Sequence, residues 1–111
     1  MDITFANRKL EKNFNSAALL LRAYGDRMSV AIMRRMAVLD AAVNLSQVPT
    51  TKPDRRHQLS ANLKGQFAVD LIHPYRLLFE PYHDPVPEND DGGIELTQVT
   101  AITIIDVIDY H

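Results

Sequence analysis

The last residues of the chain carry the side chains best suited to chemistry. The segment "AITIIDVIDYH" is strongly apolar and ends on a carboxylate, a phenol and an imidazole, those of Asp109, Tyr110 and His111. Chain termini usually fray and carry residues of little consequence. An imidazole can donate or accept a proton near neutral pH, and a nearby carboxylate can orient it or act as the base itself. This ending therefore indicates an acid–base group held in place by a strand.

Such a group suits cleavage of RNA without a metal ion, provided that cations lie beside it. In this reaction a 2′-hydroxyl attacks the adjacent phosphate, and cations stabilise the charge that grows on the phosphoryl oxygens. Arg76 offers the forked donor geometry that a phosphate prefers. Tyr110 is able to stack on a base of single-stranded RNA.

Alternation along strands provides a first test, because every second residue of a strand lies on the same face of a sheet. Asp109 and His111 share one face of the last segment, while Tyr110 points away unless the strand end twists or bulges. If the strands are neighbours, one open surface gathers these groups with three cations. The candidate site residues are, in chain order, Arg56, His57, Ser60, Lys64, Arg76, Asp109, Tyr110 and His111.

Each assignment has a simpler alternative. A lone arginine in a strand beside acids, such as Arg76, is often half of a surface ion pair, and His57 is by itself a solvated strand residue. His73 and His83 lie in expected turns. The four histidines show no close pair at metal-ligand spacing, so we expect no metal site and no cofactor. The sequence contains no glycine-rich phosphate loop and no serine nucleophile motif.

The totals bound the class of protein. A chain of 111 residues is long enough for one hydrophobic core, so we expect a single domain spanning 1–111. The sequence contains no cysteine, which excludes disulfides, thiolate metal sites and cysteine nucleophiles. No apolar run approaches the roughly 20 residues of a membrane span, and "MDITFANRKL" lacks the pattern of a signal peptide. We expect a soluble cytoplasmic protein.

The net charge of −2 conceals a division along the chain. Residues 1–64 contain eleven Lys or Arg and five Asp or Glu, a net +6, whereas residues 65–111 contain one Arg and nine acids, a net −8. This asymmetry indicates a surface that faces a polyanion and an acidic loop kept away from it. The alternative is that the basic residues simply solvate two helices.

Periodicity predicts a short strand followed by two helices. "DITFA" has the β-branched and aromatic content of a strand. Asn7 is a suitable N-cap for a first helix that stops at Gly25, and Asp26 can cap a second helix through "RMSVAIMRRMAVLDAAVNL". We expect the two helices to form a hairpin.

The rest of the chain predicts strands. They are "RRHQLSANL", "GQFAVDLI", "YRLLFEPY" after a tight "HP" turn, and "LTQVTAITIIDVIDYH", with "SQVPTTKPD" and the acidic "HDPVPENDDGG" as loops. The predicted fold is α+β: a short N-terminal strand, a helical hairpin, then an antiparallel sheet with the helices packed on one face. The opposite face is expected to be free for function.

Three spaced motifs and the chain end resemble a known family. The stretches "RRMAVLDAAVNLSQV", "LSANLKGQFAVDLIHPYRLLFEP" and the final "IDYH" resemble HigB-type toxins of bacterial toxin–antitoxin pairs, within the RelE/ParE superfamily. The resemblance implies a RelE-like fold and a toxin that enters the ribosomal A site and cuts mRNA without a metal. It also implies a helix-turn-helix, HigA-like antitoxin that silences the toxin, and operator DNA bound through that antitoxin.

Carried over residue by residue, the family's strand arginine falls on Arg76 of "YRL", and its terminal Asp, Tyr and His fall on the last three residues. Many members read "HPLKG" where this chain reads "HQLSA", so His57 matches but Ser60 replaces the lysine. Lys64 lies in the "KG" that follows and corresponds to a basic residue four positions farther on. The missing lysine and the acidic loop predict a weak endoribonuclease, because phosphate neutralisation dominates such affinities.

A non-cleaving role for the same fold is the alternative. It is either a DNA gyrase poison, as ParE-type relatives are, or a degenerate toxin that acts with its antitoxin as a co-repressor. The terminal Asp-Tyr-His favours the nuclease, and the missing lysine favours the alternative. The sequence does not determine which of His57, Asp109 and His111 is the general base.

Overall fold

The computed structural model describes residues 1–109, within which helices and strands form one α+β arrangement. The predicted fold class is therefore confirmed. The elements are β1 Asp2–Phe5, α1 Arg8–Phe14, α2 Ala17–Ala41, β2 His57–Gln58, β3 Phe67–Asp70, β4 Tyr75–Pro81 and β5 Ala101–Asp109. Short 3₁₀ turns cover Leu45–Gln47, Ala61–Leu63 and Leu96–Gln98.

The sheet is mixed, whereas the sequence analysis predicted an antiparallel sheet. Its strand order is β1-β5-β4-β3-β2, and the neighbours from β5 to β2 are antiparallel. β1 instead pairs with β5 in parallel, in the register Asp2 with Ala101 to Phe5 with Ile104. The two helices and strands β2, β3 and β4 lie between β1 and β5 in the chain, and this long connection permits parallel pairing.

The helices are interrupted at two places. Asn7 caps α1 as predicted, accepting from the Leu10 backbone N–H at 2.8 Å. The first predicted helix nevertheless breaks near Asn15, and Ser16 caps α2 by accepting from the Leu19 N–H at 3.2 Å. Gly25 then interrupts α2 with φ +81°, a left-handed conformation that glycine adopts without steric cost. The predicted stop at Gly25 is thus a break inside α2, which ends at Ala41.

The main core lies between the helices and one face of the sheet. It is built from side chains of α1 and α2 and from alternate positions of β3, β4 and β5, which include Leu10, Leu20, Ile32, Leu39, Phe67, Val69, Leu77, Phe79, Ile102 and Ile104. The rings of Phe67 and Phe79 stack with centroids 6.0 Å apart. Alternation in "GQFAVDLI" and "YRLLFEPY" therefore predicts the buried face correctly.

The opposite sheet face is partly covered, whereas it was expected to be free. Leu59, Ala68 and Leu78 form a second buried cluster there, with Leu63 packed against it. The segment predicted as a full strand, 55–63, is strand only at His57 and Gln58. Ala61–Leu63 turns instead as a 3₁₀ helix, with Ala61 at φ +57°. Leu59, just before this turn, and Leu63, within it, cover part of the sheet face.

A β-bulge in β5 changes which face its last residues occupy. Leu78 pairs with Asp106 but the next residue, Phe79, pairs with Ile104, so β5 has one extra residue at Ile105. Ile104 and, beyond the bulge, Val107 both pack on the main core. An extra residue reverses the alternation of the strand that follows it.

The partly buried Tyr24 makes the stability of the protein depend on pH in the alkaline range. Partial burial, followed by the negative charge of Asp106, raises the pKa of Tyr24 above its ordinary 10.0. The neutral phenol is therefore favoured in the fold, and the stability it contributes is present below pH 10 and lost as the pH rises through the folded-state pKa. We expect the unfolding free energy of Tyr24→Phe to fall less than that of the wild type between pH 9 and about 11.5.

Urea unfolding at several pH values measures this difference. Tyr82→Phe is the matched control, because Tyr82 is 62% exposed, and its pH dependence should follow the wild type. Parallel curves for Tyr24→Phe and the wild type would contradict the assignment.

Candidate active site

Three neighbouring strands bring an imidazole, a carboxylate and a guanidinium to the open part of the second sheet face. The register pairs His57 with Ala68 and Asp70 with Arg76, and β4 continues it by pairing Arg76 with Ile108. Residues that pair directly across strands point to the same side of a sheet. These polar side chains therefore lie beside the second apolar cluster, away from the helices.

His57 is fixed by hydrogen bonds at both ring nitrogens. Its Nδ1 lies 2.7 Å from the Arg55 carbonyl oxygen, and its Nε2 lies 3.1 Å from Nη1 of Arg76. A carbonyl can only accept and a guanidinium can only donate, so the partners assign the proton to Nδ1 and an acceptor role to Nε2. Nε2 of His57 thus faces Arg76 as a hydrogen-bond acceptor.

Asp70 connects two arginines. Its Oδ2 accepts from Nε of Arg55 at 2.5 Å, and its Oδ1 lies 3.5 Å from Nε of Arg76. The hydrogen bond to Asp70 and then the negative charge of that carboxylate raise the pKa of Arg55. We call Arg55, His57, Asp70 and Arg76 the Asp70 cluster. One carboxylate against two guanidinium groups leaves it with a net positive charge.

A buried pair supports the cluster from behind. The Asp70 carbonyl accepts from Nε of Arg35 at 2.6 Å, and the Asp70 N–H donates to the Asp54 carbonyl at 2.8 Å. The side chains of Arg35 and Asp54 are 10% and 8% exposed, with Nε and Oδ1 3.9 Å apart. Since β3 ends at Asp70, these contacts fix the backbone where the carboxylate leaves the strand.

A small cavity adjoins the two arginines. Its volume is about 50 Å³, and its lining residues are Arg55, Asp70, Leu71, His73, Pro74, Tyr75 and Arg76. A cavity of this size holds a few water molecules, whereas pockets for whole small molecules measure about 300 Å³ or more. It therefore suits a small anionic group better than a nucleobase.

Three other candidates, Arg56, Ser60 and Lys64, have contacts or surroundings separate from the Asp70 cluster. Nε of Arg56 donates to the Val48 carbonyl at 2.9 Å, and burial lowers the pKa of Arg56. Lys64 is exposed and borders a separate cavity that Glu88 also lines. Ser60 is exposed at the start of the 3₁₀ turn. The structure therefore does not bring Arg56 or Lys64 to Arg76, contrary to the surface expected from alternation.

Asp109 is also placed differently from that expectation. It pairs with Tyr75, while the preceding Ile108 pairs with Arg76. Because the bulge has reversed the alternation of β5, Asp109 follows Val107 on the side of the main core, and Arg76 lies on the other side. Tyr110 and His111 lie outside the described residues, so their predicted roles stay predictions.

Sequence reasoning misses Arg55 and Asp70. Asp70 is a carboxylate at the end of the otherwise apolar strand "FAVD", on the same face as Ala68, and this isolated charge is a signal for a specific partner. Nothing in the letters "RRH" distinguishes Arg55 from Arg56. Their separation follows from the backbone, since Arg55 adopts φ +46°.

Within residues 1–109, no group of three or more His, Asp or Glu side chains is arranged to hold a metal ion. In the same part of the chain, no helix combines the length and the apolar character needed to cross a membrane.

Comparison with known proteins relates the chain to others by fold. No protein-family model matches the sequence, and no curated protein matches it. Among solved structures, the YoeB-YefM complex from Staphylococcus aureus aligns with all of this chain and 97% of the other chain, at a TM-score of 0.55 and 17% identity. The YoeB/ParE toxin from Agrobacterium tumefaciens covers 100% of both chains, at a TM-score of 0.57 and 10% identity.

The YoeB dimer from Staphylococcus aureus is a further structural neighbour, with 100% and 97% of the two chains covered, a TM-score of 0.53 and 19% identity. The protein thus has the α+β fold of YoeB and YoeB/ParE-type toxins. At these identities the similarity establishes the fold alone.

Proposed function

We propose that this protein is a cytoplasmic HigB-like toxin of a type II toxin–antitoxin system, and that it cuts mRNA on the ribosome without a metal ion. The observation that supports the proposal best is the contact between Arg76 and His57, which places a phosphate-binding cation beside a proton acceptor 3.1 Å away. The toxin fold of the structural neighbours agrees with it.

The chemistry is a transesterification. A 2′-hydroxyl oxygen attacks the adjacent phosphorus and gives its proton to a base, and the 5′-oxygen of the next nucleotide leaves and receives a proton. The products carry a 2′,3′-cyclic phosphate and a 5′-hydroxyl. His57, Asp109 and His111 are the candidate acid and base, and Arg76 stabilises the charge on the phosphoryl oxygens.

The partners follow from the same proposal. Tyr110 stacks on a base of mRNA in the ribosomal A site, and Arg56, Ser60 and Lys64 contact RNA farther from the scissile bond. A helix-turn-helix, HigA-like antitoxin silences the toxin, and the complex binds operator DNA through the antitoxin. The complex with YefM seen in a structural neighbour supports a protein partner for this fold.

Mapping of 5′-hydroxyl ends on cellular mRNA, after brief induction of the wild type and of His111→Ala, tests the proposal. New ends inside translated frames, absent in the variant, are the expected result. Growth arrest without new ends would contradict cleavage and support a DNA gyrase poison.

The non-cleaving alternative is favoured by two observations. Ser60 stands where the resemblance implies a lysine, and Asp109 lies on the opposite side of the sheet from Arg76. If the mapping experiment shows no new 5′-hydroxyl ends and no growth arrest, the result would support a degenerate toxin that acts with its antitoxin as a co-repressor.

A further inference from the structure

Arg55 forms an ion pair with Asp70 and also keeps part of its guanidinium group at the surface. Both Arg55 and Arg76 direct Nε to Asp70, one to each carboxylate oxygen. The Nη edge of Arg55 is therefore the part left for a ligand. The Arg55 side chain is 43% exposed, and it lines the small cavity together with Arg76.

The backbone at Arg55 gives a second, independent observation. Its φ of +46° lies in the left-handed region, which non-glycine residues seldom occupy. Strained residues of this kind concentrate at functional sites, where the surrounding contacts hold them. Here the Arg55 N–H donates to the Thr51 carbonyl at 2.9 Å and the Arg55 carbonyl accepts from His57. The strain therefore orients the side chain that reaches Asp70.

Charge and size identify the ligand class. The guanidinium groups of Arg55 and Arg76 are both positively charged, so the cavity that they line attracts an anion. The cavity of about 50 Å³ admits phosphoryl oxygens and excludes a base. Paired guanidinium groups are the donors that bind phosphate in the bidentate manner.

We propose that Arg55 is a second phosphate-binding residue of the site, supplying the cation that Ser60 does not. The inference rests on the proposed nuclease function. Arg55 and Arg76 flank the scissile phosphate, and the Nη edge of Arg55 donates to a non-bridging oxygen as negative charge accumulates there. Asp70 holds both guanidinium groups through Nε and is a positioning residue.

Single-turnover cleavage on ribosomes programmed with a defined mRNA tests the role of Arg55. We expect Arg55→Gln to lower the rate at saturating protein about 10- to 100-fold, with little change in the half-saturating concentration. Arg55→Lys, which keeps the charge, should recover part of the rate. Arg22→Gln removes one charge from the exposed surface of α2 and should cut like the wild type.

A further measurement separates phosphate binding from a structural role. In wild-type protein, titration with inorganic phosphate should give saturable shifts of the Arg55 and Arg76 Nε–Hε NMR signals.

The outcomes are distinguishable. Wild-type cleavage by Arg55→Gln would overturn the inference and leave the nuclease proposal standing. A slow Arg55→Gln variant together with unshifted NMR signals in the wild type would overturn it as well, because Arg55 would then act only on Asp70. If the wild type cuts nothing while phosphate shifts both signals, the nuclease proposal fails and the phosphate site is supported.

Discussion

Arg76→Gln is expected to cut mRNA on translating ribosomes about 10²- to 10³-fold more slowly than the wild type, the usual effect of removing one donor to a developing negative charge. Glutamine retains a hydrogen-bond donor but lacks the positive charge and the forked geometry. The substitution also removes the group that faces Nε2 of His57, so both cation and acceptor are affected. Primer extension on a defined mRNA measures the rate.

The controls for Arg76 separate chemistry from folding. Thermal unfolding should show the variant folded, since Arg76 is half-buried and its ion pair with Asp70 spans 3.5 Å, a geometry that contributes little. Arg76→Lys should retain more activity than Arg76→Gln because it keeps the charge. A folded Arg76→Gln protein that cuts at the wild-type rate would exclude Arg76 from the reaction.

Local features of the sequence predict much of the fold. A side-chain cap such as Asn7 and a glycine with positive φ affect only the backbone within a few residues. The amino-acid sequence therefore predicts the start of α1 and the break at Gly25. Two strands that pack one face on the core show their alternation directly, as Phe67 and Leu77 illustrate. The parallel pairing of β1 depends on a partner about a hundred residues away, and no local pattern encodes it.

The candidate site is predicted less well because it depends on register and backbone detail. Arg76 and His57 are identified from the sequence and lie together. Asp109 is displaced by a single extra residue in β5, which simple alternation does not anticipate. Arg55 and Arg56 are identical side chains in adjacent positions, and only their backbone conformations decide which one reaches Asp70.

The buried pair behind the cluster gives the largest expected effect on stability. Arg35→Met should lower the free energy of unfolding by about 3–5 kcal/mol, because it leaves the Asp54 carboxylate buried without its cation. The side chain of Asp54 is 8% exposed, and Arg35 Nε lies 3.9 Å from its Oδ1. The Asp70 carbonyl also loses its 2.6 Å donor. Urea denaturation measures the loss.

A double substitution tests this reason for the loss. In Arg35→Met with Asp54→Leu both charges of this buried pair are removed, so most of the lost stability should return. Losses that simply add would show that Arg35 and Asp54 do not interact. The double variant also isolates the contact with Asp70: if it is stable yet cuts slowly, then Arg35 positions Asp70 through its carbonyl, and stability and activity depend on the same arginine for different reasons.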